Sequence, residues 1–145
     1  YFTAPAAFVQ AANLLHQNVV LCANITAQYG AIAALKYCEN DMLAMVAEYE
    51  KRRQIMIDGF KKIGLPLYEP EGAFYIFPSI KKFGMTSEEF ATKLLNEEKV
   101  AIVPGSAFGA CGEGYLRVSY AYSIEELKEA LGRLERFINH LPKKQ

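Results

Sequence analysis

Val100-Ala101-Ile102-Val103-Pro104-Gly105-Ser106-Ala107-Phe108-Gly109-Ala110-Cys111-Gly112-Glu113-Gly114-Tyr115-Leu116-Arg117-Val118-Ser119-Tyr120-Ala121 is the stretch on which the fold turns. Val100 to Val103 is a short apolar run of the kind that forms a buried strand. Pro104 to Gly114 is a loop rich in glycine. Tyr115 to Ala121 reads as a second strand, and alternate residues of a strand share a face. Leu116, Val118 and Tyr120 form an apolar face. Arg117, Ser119 and Ala121 lie on the other.

Outward from this pair, helices and strands alternate. On the N-terminal side, Ala73 to Phe77 is aromatic and β-prone, and it follows a turn at Pro70-Glu71-Gly72. Thr86-Ser87-Glu88-Glu89 has the form of a capping box, and Phe90, Leu94 and Leu95 supply an apolar face to the helix it opens. On the C-terminal side, Ser123-Ile124-Glu125-Glu126 is a second box. Its helix runs through Leu127, Leu131, Leu134 and Ile138 to a stop near Pro142. Further upstream, Asn40-Asp41 is placed to cap a long helix with the seam Met42, Met45, Tyr49, Met56, Phe60 and Ile63. Gly64 and Pro66 end it. Pro5 suits the first turn of an opening helix carrying Phe8, Ala12, Leu15 and Val19. After a break at 18–24, Ile25 to Tyr37 resumes helix. The order predicts an α/β (α+β) fold: a small mixed sheet of about three strands covered by helices, preceded by further helices. The polar break Glu39-Asn40-Asp41 is the expected domain junction, dividing 1–40 from 41–145.

Composition narrows the function classes. The 145 residues are 52% hydrophobic and 22% charged, the balance of a globular protein. Sixteen basic and sixteen acidic residues cancel, so no basic excess points to nucleic acid. No apolar run approaches a membrane span. Cys22, Cys38 and Cys111 contain no C-x-x-C pair, and His16 and His140 stand alone. Neither a disulfide framework nor a metal site is expected, and the thiols suit a reducing cytoplasm. The opening Tyr1-Phe2-Thr3-Ala4 reads as an extended piece, and the start as a cut within a longer chain with no signal peptide.

Arg117 is the residue best suited to ligand chemistry. An arginine fork matches a carboxylate through two parallel hydrogen bonds, and the neighbours of Arg117 on its face are small. From the strand alone the favoured reading is an ordinary surface ion pair with an Asp or Glu, since charged residues mostly lie at the solvated surface. The loop before it has no Gly-Lys-Ser/Thr and no G-x-G-x-x-G order, so neither a P-loop nor a dinucleotide fingerprint is present. No pair of carboxylates stands out as an acid/base couple.

Taken jointly, Pro70-x-Gly72-Ala73-Phe74-Tyr75, Val103-Pro104-Gly105-x-x-Phe108-Gly109 and Leu116-Arg117-Val118-Ser119-x-Ala121 resemble the C-terminal region of class I/II aminotransferases, pyridoxal phosphate (PLP) enzymes of fold type I. The resemblance covers essentially the whole chain. It implies that residues 1–40 are the end of the large domain and 41–145 the small domain. It implies that Arg117 grips the substrate α-carboxylate. Gly72, Phe74 and Tyr75 match a segment near the substrate entrance. Pro104, Gly105, Phe108 and Gly109 match a loop that shapes the site. The family's Schiff-base lysine has no counterpart here and is expected upstream, so the chain alone is not expected to bind PLP covalently or to catalyse. The partners implied are an amino acid, a 2-oxo acid, the large domain and a second subunit or self-association. A related carbon–sulfur lyase, or the ligand-sensing domain of a transcription regulator, would carry the same motifs.

Overall fold

The computed structural model describes residues 2–141; Tyr1 and Pro142, to which the sequence assigns the opening strand and the last helix stop, lie outside the described residues. Phe2 to Pro5 carries no strand. The elements in chain order are α1 (Ala6–Val19), α2 (Ile25–Tyr37), α3 (Glu39–Ile63), β1 (Tyr75–Ile76), α4 (Ser87–Glu98), β2 (Val103–Pro104), β3 (Leu116–Ser119) and α5 (Ile124–His140). They fall into two compact units, Tyr1–Ala44 and Met45–Gln145. The division lies inside α3, and that helix begins at Glu39 rather than after an Asn40-Asp41 cap. Only Cys38 separates α2 from α3, so no capping turn forms there.

In the first unit, Asn24 caps α2 by accepting hydrogen bonds from the backbone N–H groups of Thr26 (2.9 Å) and Ala27 (3.4 Å). Neither α1 nor α2 buries a residue. Phe8, Leu14, Leu15, Val19 and Leu21 are all exposed.

The second unit holds the core. Met56, Ile57 and Phe60 of α3, Phe90 and Leu94 of α4, and Leu127, Leu131, Leu134 and Phe137 of α5 pack with Ile76, Leu116 and Tyr120. The seam of α3 is therefore buried only in its C-terminal half, while Met42 and Met45 are exposed. Phe137 and Ala91 take core places that the spacing assigned to Ile138 and Leu95, of which Ile138 is half-buried and Leu95 exposed. Both capping boxes form, at Thr86 with Glu89 and at Ser123 with Glu126.

The three strands make one sheet in the order β1-β3-β2. Both ladders are antiparallel, where a mixed sheet was expected. β1 and β2 run parallel to each other, joined across α4, but β3 lies between them, so no parallel pair bonds directly. The register decides the faces. Tyr75 pairs with Ser119 and Ile76 with Val118, and Val103 pairs with Arg117. Directly opposed residues share a face. Ile76, Val118, Leu116 and Tyr120 thus face the helices, and Tyr75, Ser119, Arg117 and Val103 face away from them.

Candidate active site

Arg117 sits diagonally across the ladder from Tyr75, a separation that long and aromatic side chains bridge. Its guanidinium carbon lies over the Tyr75 ring, 4.5 Å from the centroid. It lies as closely over the Phe108 ring, at 4.4 Å. Each ring face attracts the cation through its quadrupole. Among the described residues Arg117 forms no ion pair and no side-chain hydrogen bond. The ring faces hold the guanidinium without supplying conventional acceptors to its N–H donors. The group is held, charged and unspent, which is what a carboxylate ligand needs. Among the described residues the surface ion pair that the strand suggested is not made.

Phe108 reaches Arg117 because the loop before β3 is wound tightly. Gly105–Phe108 and Ala110–Gly112 are short 3-10 turns. The N–H of Gly105 donates to the carbonyl of Tyr115 at 2.8 Å. A Cβ at Gly105 would collide with the carbonyl of Gly112, so only glycine lets these strands of loop meet. Gly109 joins the two turns at φ +108°, a conformation that side chains rarely tolerate. Phe77 packs edge-on to Phe108 with centroids 6.2 Å apart.

The other candidates are spread along the same edge of the unit. Pro104 is in the β2–β3 ladder opposite Leu116. Phe74 stacks beside Tyr75, centroids 4.5 Å apart, and against Tyr49 at 6.1 Å. Gly72 has open space around it. The left-handed backbone of this turn falls instead on Ala73, at φ 58°. Tyr120 supports it: its hydroxyl donates to the Ala73 carbonyl at 2.9 Å, and burial pushes its phenol up from the ordinary value. The structure thus brings Arg117, Tyr75 and Phe108 into one cluster, with Phe74 adjoining, and leaves Gly72 as backbone alone. Phe77 and Tyr120 had no signal in the sequence beyond their place in apolar runs.

A groove of about 490 Å³ opens where the segment 99–102 diverges from β3, lined by Ile102, Val118, Ser119, Leu127 and Arg133 among others. Arg117 also lines it, whereas Tyr75 and Phe108 do not. Among the described residues no helix is long and apolar enough to cross a membrane.

The family model described as "Aminotransferase class I and II" matches residues 1–134. The aspartate aminotransferase of Pyrococcus abyssi is 49% identical over 77% of this chain and 29% of its own length. Aromatic-amino-acid aminotransferase 2 of Thermococcus litoralis is 47% identical over the same shares, 77% and 29%. The crystal structure of an aromatic aminotransferase from Pyrococcus horikoshii superimposes with a TM-score of 0.88 at 41% identity, covering 94% of this chain and 37% of that one. The chain spans about a third of the length of the relatives it matches.

Proposed function

The chain belongs to the aminotransferase class I and II family, and on that premise we propose that its second unit is the carboxylate-binding part of a PLP-dependent aminotransferase. The whole enzyme would move an amino group between an amino acid and a 2-oxo acid. Residues 41–145 would be its small domain and residues 1–40 the end of its large domain, in a cytoplasmic homodimer. The observation that carries this reading is the guanidinium of Arg117, framed by Tyr75 and Phe108 and, among the described residues, in no ion pair.

When bound, PLP supplies an electron sink for the carbanion formed at the substrate Cα. On this reading its binding site lies mainly outside the described residues. Every described lysine is exposed, and Lys51, Lys61 and Lys62 are engaged by Glu48, Glu69 and Glu135. The cofactor's lysine and phosphate ligands would come from the rest of the enzyme.

Arg117 would accept the substrate α-carboxylate on its in-plane donors. Two hydrogen bonds fix the rotation of the carboxylate and so the direction of the Cα–H bond, an orientation effect. Tyr75 and Phe108 would keep the fork from swinging to solvent. Phe74 and Gly72 would border the approach, and Pro104, Gly105 and Gly109 would hold the loop that carries Phe108.

The test is replacement of Arg117 in the full-length enzyme. Each hydrogen bond to a charged group contributes roughly 1.5–3 kcal/mol, so Arg117→Ala is expected to cost about 3–5 kcal/mol in kcat/KM. That is on the order of a hundred- to several-thousand-fold. Arg117→Lys should recover only part, since a point charge lacks the fork. Amines without an α-carboxylate should be nearly unaffected. Intact amino-acid turnover in Arg117→Ala would reject the assignment.

A further inference from the structure

Phe108 can steady Arg117 only if its own loop is fixed, and one polar cluster outside the arginine site does this. Ser87, the first residue of α4, is fully buried. Its N–H donates to Glu113 Oε1 at 2.7 Å, and its hydroxyl donates to Glu113 Oε2 at 2.9 Å. Glu113 Oε1 also accepts from the N–H of Gly114 at 3.0 Å, just before β3. The Ser87 and Ser106 hydroxyls are 3.1 Å apart. A serine has one hydroxyl proton, and that of Ser87 goes to the carboxylate, so Ser106 is the donor of this pair. The N–H of Ser106 approaches Ser87 Oγ at 3.4 Å. Ser106 belongs to the same 3-10 turn as Phe108.

The bonds make a continuous path from α4 and the start of β3 to the ring over Arg117. We propose that Ser87, Ser106 and Glu113 are a latch that holds Phe108 against Arg117, and are thereby positioning residues for carboxylate binding. Among the described residues none of the three has a hydrogen bond or ion pair to Arg117. Glu113 gathers donors from two segments, α4 and the β3 entry, which the loop must bridge. Ser106 passes that restraint to the turn. The Gly105 and Gly112 backbones pass so close that a Cβ on either would collide with the other. This inference rests on the carboxylate reading of Arg117.

The test uses the full-length enzyme loaded with PLP and two probes. One is a 2-methyl amino acid, which binds but has no Cα proton to lose. The other is the amine with the same side chain and no carboxylate. Loss of an ordinary hydrogen bond corresponds to roughly two- to tenfold. The dissociation constant of the 2-methyl amino acid should rise about tenfold in Glu113→Ala and about threefold in Ser106→Ala. Ser106→Thr, which keeps the hydroxyl, should bind as the native protein does. The amine's dissociation constant and the PLP content should stay unchanged throughout. Equal weakening of both probes, or of neither, overturns the latch. Should Glu113→Ala fail to fold, Ser106→Ala against Ser106→Thr decides the matter alone. Arg117→Ala is the control. If it does not separate the two probes, the carboxylate reading itself falls, and the latch with it. If it separates them while the Ser106 and Glu113 variants do not, only the latch falls.

Discussion

Arg117 and Glu113 show how one side chain's state depends on what its neighbours leave it. The aromatic rings beside Arg117 stabilise the cation without neutralising it, so its donors remain available. Glu113 is the opposite case: its oxygens are taken up by donors. The backbone N–H of Ser87, then the Ser87 hydroxyl, then the N–H of Gly114 favour the ionised form and hold its carboxyl below the ordinary carboxylate value. A depressed folded value means that the carboxylate adds stability above the unfolded pKa, and that this is lost as pH falls through the folded pKa. The latch should therefore loosen only on the acid side of the usual carboxylate range. Ser87→Ala removes one donor and should move the Glu113 titration, followed by carbon NMR of its carboxyl, upward but not fully to the ordinary value. An unmoved titration would show that the hydroxyl does not bond the carboxylate as described.

At the scale of elements, the second unit combines short strands with helices opened by capping boxes. The strands are brief: β1 and β2 have two residues each and β3 has four. The helices supply most of the buried apolar surface. α5 is opened by Ser123, whose hydroxyl accepts from the N–H of Glu126 at 3.2 Å while the Glu126 carboxylate returns to the Ser123 N–H at 3.3 Å. Ser123→Ala leaves the N–H of Glu126 without its partner and should destabilise the unit by about 0.5–2 kcal/mol, read as a lower urea midpoint at unchanged slope. A midpoint equal to the native one would mean that water satisfies this helix end as well as serine does.

For the whole molecule, the two units differ in how far their sequences are satisfied. Residues 45–141 bury a connected core. α1 and α2 bury nothing, and Phe8, Leu14, Leu15, Val19, Leu21 and Leu35 are exposed. So much exposed apolar side chain in one short stretch is a surface that seeks cover. The 145-residue chain by itself is expected to self-associate, giving by light scattering a mass above that of one chain. A chain monomeric across a wide concentration range would contradict this.

Much of this was readable in the residues before any coordinates. The S/T-x-x-E boxes mark the starts of α4 and α5 because the capping residues are local to each helix. The alternation in Leu116 to Tyr120 marks the faces of β3 because a strand's period is two. The order of motifs also placed the chain in its family. What tertiary structure alone decided are the relations between segments far apart in sequence. Strand order, and hence an antiparallel sheet, depends on β3 entering between β1 and β2, which no local pattern encodes. That Arg117 lies against rings and in no ion pair among the described residues depends on which side chains reach it. Tyr75 does so by sheet register, and Phe108 by a loop closed through Gly105, Gly112 and the Ser87–Glu113 bonds. A strand's pattern tells which way an arginine points, whereas its partner is set by the packing of residues dozens of positions away.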